Sequence, residues 1–171
     1  MSLRLKPDFM FDSFSYVTVD FMKKNGFSGI ILDVDNTLEP YENPLPTEKV
    51  QDWFRELREA GISFAIVSNN SKDRIDLFNS ALNIVTYSKS KKPFSKYIKM
   101  AMENIGTNKD NTVFMGDQIF TDVWGAHNAG IKAILVPPIK DKTDIFTRFK
   151  RLLEKPIIRS FKRREKSKCS E

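Results

Sequence analysis

The sequence predicts an α/β fold: a three-layer, Rossmann-like parallel sheet with helices on both faces. Five short apolar runs alternate along the chain with segments of helical periodicity, as in a strand-helix repeat. Most of these runs lack alternating polar residues, which is typical of strands buried on both faces. No internal repeat and no linker rich in glycine, serine or proline divides the central part of the 171 residues.

The strand predictions rest on runs rich in Ile, Val and Phe. They cover Gly29–Val34, Ser63–Val67, Ile84–Tyr87, Thr112–Met115 and Lys132–Val136. The carboxyl ends of parallel strands meet at one edge of a sheet, and ligands bind beyond that edge. We therefore expect the functional residues in the segments that directly follow these runs.

Apolar residues at helical spacing fill the gaps between the predicted strands. The four sets are Val50, Trp53, Phe54, Leu57 and Ala60; Ile75, Phe78 and Leu82; Ile98, Ala101, Met102 and Ile105; and Val123, Ala126 and Ala129. Thr47 is expected to cap the first helix. Gly61, Gly106 and Gly130 are expected to end three of the helices, because glycine adopts the left-handed conformation at low cost.

Four other residues with versatile side chains are expected to have structural roles. Trp53 and Trp124 are predicted to be packing residues. His127 lies in a helical pattern with no partner motif, and Cys169 lies in the C-terminal tail. None of them is a predicted site residue.

Composition and charge narrow the protein class. No apolar run approaches the roughly 20 residues of a membrane span, and the N-terminus has no continuous apolar segment of a secretion signal. A single cysteine cannot form an intrachain disulfide, which favours a reducing, cytoplasmic compartment. Of the net charge of +6, residues 148–171 carry +7, from ten Lys or Arg and three Glu, and the rest of the chain carries −1.

Three parts of the chain are expected. Residues 1–24 form an aromatic N-terminal appendage that packs on the core, and residues 25–140 form the central domain. Residues 141–171 form a basic amphipathic helix and tail. Three interpretations of this last segment stay open: a helix packed on the domain, a peripheral contact with an anionic membrane, or a nucleic-acid contact.

Carboxylates follow two of the predicted strands. Asp33 and Asp35 come after the first, and Asp117 and Asp122 come after the fourth. Like charges this close are costly unless a cation or a proton separates them. Because the segments offer oxygen atoms and neither His nor Cys, they favour Mg²⁺ or Ca²⁺.

Polar residues also follow the second and third predicted strands. Ser68, Asn69 and Asn70 offer a hydroxyl and two amides suited to phosphate oxygens, although such residues also make ordinary turns and helix caps. Lys91 and Lys92 would neutralise a bound phosphate, whereas a solvated charge run is the alternative.

In this order, the motifs resemble the haloacid dehalogenase (HAD) phosphatase superfamily. The motifs are Asp33-Val34-Asp35-Asn36-Thr37, Ser68-Asn69, Lys92-Pro93, and Gly116-Asp117 followed by Asp122. The resemblance covers residues 28–137 and implies a HAD-like, Mg²⁺-dependent phosphomonoesterase that acts through an aspartyl-phosphate. The short gaps between motifs imply a member with no sizeable cap domain.

The resemblance also implies a role for each motif residue. Asp33 is the nucleophile, and Asp35 is the general acid and base, with its backbone carbonyl on the metal. The phosphate-binding residues are Ser68, Asn69 and Lys92, with Lys91 as an alternative to Lys92. The implied metal ligands are Asp33, Asp35, Asp117 and Asp122, the last as a ligand or a neighbour of the ligands.

Sequence around the motifs looks like the YqeG-type subfamily, whose relatives include phosphatidylglycerophosphate phosphatases. That resemblance implies a phosphorylated lipid at an anionic membrane surface, hydrolysed to phosphatidylglycerol. One alternative is a capless phosphatase for a nucleotide, a nucleic-acid end, a sugar phosphate or a phosphoprotein. Another is an RNA- or ribosome-associated assembly module. The sequence leaves the oligomeric state and the choice between Mg²⁺ and Mn²⁺ open.

Overall fold

The computed structural model describes residues 3–140 and 152–160. Residues 152–160 are helical. The part of the predicted basic helix before residue 152, and the basic tail from Phe161 onward, lie outside the described residues. No helix within the described ranges combines the length and the apolar character needed to cross a membrane.

The described strands form one fully parallel sheet. They are β1 (Phe9–Met10), β2 (Gly29–Leu32), β3 (Ser63–Val67), β4 (Val85–Tyr87), β5 (Thr112–Gly116) and β6 (Lys132–Leu135). Their order across the sheet is β1-β6-β5-β2-β3-β4. The strand β2 lies between β3 and β5, where Ile31 pairs with Ala65 and Phe114. The predicted parallel α/β sheet is confirmed.

Helices cover both faces of the sheet. The α-helices are α1 (Val19–Lys24), α2 (Glu48–Glu59), α3 (Lys72–Asn79), α4 (Lys96–Asn104) and α5 (Trp124–Ala129). Short 3-10 helices span Leu3–Leu5 and Phe14–Tyr16, and a π-helix spans Ile119–Val123. Residues of α1, α2 and α3 pack on one face, and residues of α4, α5 and 152–160 pack on the other. No cap domain interrupts the described chain.

The central strand β2 is buried along its whole length because it contributes to both cores. Ile30 and Leu32 point into one core and Ile31 into the other, as the two-residue period of a strand requires. The first core is aromatic, and its Trp53 is a buried packing residue, as predicted. The Trp53 indole Nε1 donates a hydrogen bond to the Val17 carbonyl (2.9 Å), so its polar atom is satisfied.

Several local predictions need correction. The strand β1 was not predicted, because its two residues are too few for a periodic pattern. It pairs with β6, where Phe9 lies opposite Ile134. Thr47 precedes α2 but makes no side-chain cap bond, and its hydroxyl donates to the Glu39 carboxylate instead. Trp124 is 39% exposed, so its predicted packing role is wrong.

The predicted helix ends are confirmed at glycines. Gly61, Gly106 and Gly130 have φ angles of +84°, +70° and +84°. Each therefore adopts the left-handed conformation that residues with a Cβ atom rarely enter.

His127 ties the N-terminal segment to α5, a partnership that the sequence did not reveal. Its Nδ1 lies 2.7 Å from the Arg4 carbonyl oxygen, and its Nε2 lies 2.9 Å from Asp8 Oδ2. Both partners accept hydrogen bonds, so both ring nitrogens donate when the imidazole is protonated. The hydrogen bond that His127 donates to the Asp8 carboxylate raises the pKa of His127 above its usual 6.5 despite partial burial. Burial would raise the pKa of Asp8, but the His127 contacts outweigh it and lower that pKa below 3.8.

This pair makes stability depend on pH. The His127 contribution is fully present below about pH 6.5 and disappears as the pH rises through the raised folded-state pKa. The Asp8 contribution is present above about pH 3.8 and disappears as the pH falls through its lowered value. Between about pH 6 and pH 9, the wild-type protein should lose up to about 1 kcal/mol more unfolding free energy than His127→Gln, since the pair is partly exposed.

Urea denaturation at the two pH values measures this difference. Asp20→Asn removes an exposed carboxylate on α1 and serves as the charge control, which should keep the wild-type pH slope. Equal slopes for the wild-type protein and His127→Gln would show that the pair contributes nothing.

Candidate active site

The carboxyl edge of the sheet gathers the predicted site residues. Asp33 directly follows β2 and Asp117 directly follows β5, the two adjacent central strands. Asp33 still belongs to the strand ladder, since its N–H donates to the Met115 carbonyl (3.0 Å). Ser68 directly follows β3, and its N–H donates to the Tyr87 carbonyl at the end of β4 (2.9 Å). Strands buried on both faces therefore position the backbone beneath the site.

Three of the predicted metal ligands form one buried cluster. Asp33, Asp117 and Asp122 each offer a carboxylate oxygen, and these oxygens all lie within 4.8 Å of one another. The Thr37 hydroxyl lies 3.5 Å from Asp117 Oδ1. All three carboxylates are hard oxygen ligands, so the cluster fits a divalent cation such as Mg²⁺.

Lys92 enters the same cluster. Its Nζ lies 3.1 Å from Asp33 Oδ1 and 2.7 Å from Asp122 Oδ1, and its side chain is almost fully buried. Lys91, the alternative left open by the sequence, has an exposed side chain. The structure therefore brings Lys92 rather than Lys91 to the carboxylates.

The cluster carries more negative than positive charge. Burial would lower the pKa of the Lys92 ammonium, but the attraction of Asp122 and Asp33 outweighs burial and raises this pKa above its usual 10.5. Burial raises the pKa of Asp122 above 3.8, and the negative charge of Asp33 acts in the same direction against the lowering effect of Lys92. A divalent cation would relieve the repulsion that one ammonium leaves among three carboxylates.

A glycine makes room for Asp122. A Cβ atom built on Gly116 would lie 2.4 Å from the Asp122 carboxylate carbon, a distance at which the side chain would have to move. The N–H of Gln118 also donates to Asp122 Oδ2 (3.0 Å), which orients this carboxylate. The Gly116-Asp117 pair thus supplies one carboxylate of the cluster and the space for a second.

Asn69 holds the lysine segment with its side chain. Its Oδ1 accepts from the Lys92 N–H (2.7 Å) and the Ser90 hydroxyl (3.0 Å), and its Nδ2 donates to the Lys92 carbonyl (3.2 Å). The Ser68 hydroxyl accepts from the Asn70 N–H (3.2 Å). The Asn69 contacts connect the segments after β3 and β4, and they occupy the side chain that was predicted to bind phosphate.

Asp35 stands apart from the cluster, because its carboxylate has other partners. Arg74 Nε and Nη2 lie 3.2 and 3.1 Å from Asp35 Oδ1, and Asn70 Nδ2 donates to Asp35 Oδ2 (2.7 Å). Arg74 also donates to the Pro44 carbonyl (2.8 Å). The Asp35 carboxylate therefore does not join the cluster, and its backbone carbonyl is the group that could contact a metal, as predicted.

Arg74 was not among the residues predicted from the sequence, and the amide of Asn70, expected to suit phosphate oxygens, contacts Asp35 instead. One sequence feature could have identified Arg74. It lies in the first turn of α3, where the helix dipole disfavours a cation, so a basic residue there suggests an acidic partner. Sequence reasoning also missed Glu39, which is buried and accepts from the Thr47 N–H (2.9 Å) and Asn43 Nδ2 (2.8 Å). Through these hydrogen bonds, Glu39 connects the two ends of the loop that follows the first motif.

Known proteins share this sequence pattern and fold. Residues 12–136 match the family model described as haloacid dehalogenase-like hydrolase. The chain is 37% identical over 158 residues to "Probable phosphatase YqeG" of Bacillus subtilis, which covers 92% of each protein. It is 28% identical over 111 residues to "Pyrophosphatase PpaX" of Halalkalibacterium halodurans, covering 60% of this chain and 48% of that protein.

A solved structure shows the same fold. CbbY from Rhodobacter sphaeroides, solved in complex with phosphate, superposes with a TM-score of 0.56 at 14% sequence identity. The match covers 70% of this chain and 90% of that chain.

Removing the buried ammonium should destabilise the protein. Lys92→Met leaves three carboxylates without their cation, and we expect a loss of roughly 3–5 kcal/mol of unfolding free energy at neutral pH. Added Mg²⁺ should restore more stability to this variant than to the wild-type protein. Chemical denaturation with and without Mg²⁺ measures both effects.

Lys91→Met is the matched control for this experiment. Its side chain is exposed, so the unfolding free energy should change by no more than about 0.5 kcal/mol. Equal losses for the two variants would contradict the structural distinction between the lysines.

Proposed function

The chain belongs to the haloacid dehalogenase-like hydrolase family and is a phosphate-monoester hydrolase, and we propose that it acts through an aspartyl-phosphate on Asp33. The observation that carries the proposal is the buried cluster of Asp33, Asp117 and Asp122 around the Lys92 ammonium. Such a cluster suits a reaction in which positioning and charge stabilisation of a phosphoryl group supply most of the catalysis.

In the first step, an oxygen of Asp33 attacks phosphorus and the bond to the leaving oxygen breaks. Asp35 donates a proton to that oxygen, and the alcohol departs. In the second step, Asp35 takes a proton from water, whose oxygen attacks phosphorus. Inorganic phosphate leaves and the Asp33 carboxylate is restored, so one water is consumed for each alcohol and phosphate released.

The remaining polar groups bind the phosphoryl oxygens. Lys92 balances their negative charge, and Ser68 and the backbone at Asn69 donate hydrogen bonds. Asp33, Asp117 and Asp122, with the Asp35 carbonyl, would hold Mg²⁺. When bound, this ion neutralises the phosphoryl charge and polarises its oxygens.

Asp35 lies apart from the cluster, so its carboxylate is not one of the proposed metal ligands, and we assign the proton transfer to it. Asp33 has the Lys92 ammonium beside it, whereas Asp35 contacts Arg74 and Asn70. Two carboxylates two residues apart thus have different surroundings, and this difference is how one site assigns different tasks to similar groups.

Substitution of the two aspartates tests this mechanism. Asp33→Asn removes the nucleophile at nearly constant shape and should reduce kcat by more than about a thousandfold. Asp35→Asn should cost about 10²–10⁴-fold. Its loss should be larger for an alkyl phosphate than for an aryl phosphate, whose leaving group needs less protonation.

Phosphate release at saturating Mg²⁺ gives these rates. Asp73→Asn, an exposed carboxylate on α3, is the control and should keep wild-type activity. Undiminished phosphate release by Asp33→Asn would exclude the mechanism.

We also propose that the substrate is phosphatidylglycerophosphate, converted to phosphatidylglycerol at the cytoplasmic face of an anionic membrane. Support comes from four exposed apolar side chains on loops that leave the carboxyl edge of the sheet. They form what we call the apolar rim: Tyr41, Leu45, Phe94 and Ile139, with exposures between 47% and 72%. Exposed apolar groups concentrated around a site are typical of surfaces that meet lipid or protein.

Basic residues accompany the apolar rim. Lys89 and Lys91 are exposed in the loop after β4, beside Phe94. The helix 152–160 exposes Leu152 and Leu153 together with basic residues. Near an anionic membrane, each basic residue contributes about 1 kcal/mol of attraction. This combination suits a substrate with acyl chains and anionic neighbours.

The apolar rim provides a test that separates lipid from soluble substrates. The double substitution of Tyr41 and Phe94 by Ser should lower kcat/KM for phosphatidylglycerophosphate in anionic mixed micelles by about tenfold or more, because burial of each aromatic ring in the micelle is lost. Activity on a small soluble aryl phosphate should stay within about twofold.

Leu77→Ser removes an exposed leucine on α3 and controls for lost surface apolarity. Equal losses on both substrates would overturn the lipid proposal. High activity on soluble sugar phosphates, nucleotides or phosphoproteins with none on the lipid would also overturn it.

A further inference from the structure

A carboxylate from the C-terminal helix reaches the loop that carries two of the metal-ligand candidates. The helix 152–160 packs through Ile157 against the core formed by α4 and α5. On the same inward face, Glu154 is buried. Its Oε1 accepts a hydrogen bond from the Ile119 N–H (2.8 Å) and a longer one from the Phe120 N–H (3.4 Å).

These two N–H groups belong to the segment between Asp117 and Asp122. They lie at the start of the π-helix Ile119–Val123, where N–H groups have no partner one turn earlier. The preceding N–H, that of Gln118, is taken by the Asp122 carboxylate itself. Three successive backbone N–H groups therefore donate to two carboxylates. The first donates to Asp122, within the same loop, and the other two donate to Glu154, on the helix 152–160.

The position of Glu154 is unusual for its surroundings. It is the only acidic residue between Arg148 and Arg164, a segment that is otherwise apolar or basic except for Ser160. Its neighbour on the inward face, Ile157, is apolar, and a buried carboxylate is costly unless hydrogen bonds compensate it. Two of the hydrogen bonds that compensate Glu154 come from the backbone between Asp117 and Asp122, so the contact helps to order that segment from outside.

We propose that Glu154 is a positioning residue for the metal site, and that the helix 152–160 is thereby part of the active centre. The proposal rests on the proposed function, in which Asp117 and Asp122 belong to a divalent-cation site. Glu154 holds the peptide groups at 119 and 120, and these set the separation of the two aspartates. Groups that orient metal ligands from outside affect metal affinity by about 10–100-fold when removed.

Mn²⁺ binding to the full-length protein, followed by the electron paramagnetic resonance signal of the free ion, tests the proposal without turnover. Glu154→Ala should weaken Mn²⁺ binding by about tenfold or more. Glu154→Gln keeps the size and one acceptor oxygen, so it should recover most of that loss. Lys155→Ala changes an exposed neighbour on the same helix and should bind as the wild-type protein does.

Steady-state kinetics provide a second readout. Glu154→Ala should raise the Mg²⁺ concentration for half-maximal activity by about tenfold, while kcat at saturating Mg²⁺ stays within about twofold. A general loss of structure would lower kcat at every metal concentration. Should Glu154→Ala not fold, Glu154→Asp retracts the carboxylate by one methylene and should give an intermediate loss of Mn²⁺ affinity.

Asp117→Asn separates a failure of the proposed metal site from a failure of the role proposed for Glu154. Wild-type Mn²⁺ affinity in Asp117→Asn would refute the metal site and the proposed function with it. Weakened binding in Asp117→Asn together with wild-type affinity in folded Glu154→Ala or Glu154→Asp would refute only the role of Glu154.

Discussion

The buried ammonium of Lys92 between Asp33 and Asp122 is the interaction on which the rest of this site depends. Charges are costly to remove from water, and one cation among three carboxylates compensates that cost only in part. The arrangement is stable because rigid elements hold each partner: β2 carries Asp33, and Asn69 holds the backbone at Lys92. The uncompensated negative charge also makes the site suitable for a divalent cation, which together with Lys92 would offset the charge of a phosphoryl group.

The scaffold assigns different surroundings to residues that are close in sequence. Asp33 remains in the strand ladder, whereas the chain turns at Asn36, whose φ of +63° lies in the left-handed region that asparagine tolerates. That turn ends the regular alternation of the strand, and Asp35 is held by Arg74 and Asn70 instead of joining the cluster. The proposed nucleophile and the proposed proton-transfer group can therefore come from one short motif.

The sequence predicted the features that depend on local residue patterns, namely the strands and the segments that follow them. The apolar runs located β2 to β6 within a residue or two at each end, and the motifs after them located the edge of the sheet at which the carboxylate cluster lies. The choice between Lys91 and Lys92 required the structure, because adjacent residues in a loop differ only in how the backbone aims them. The contacts of Glu154 with Ile119 and of His127 with Asp8 join distant parts of the chain, and no periodic pattern encodes them. The two-residue strand β1 likewise depends on its partner β6.

The central claim is that the phosphoryl group passes through Asp33. Its most direct test is a rapid acid quench during a single turnover of a phosphate monoester with Mg²⁺ present, followed by tandem mass spectrometry of the protein. We expect a phosphoryl group on Asp33, formed only with the divalent cation, that disappears as inorganic phosphate is released. A phosphoryl group on any other residue, forming and decaying at the rate of turnover, would contradict it.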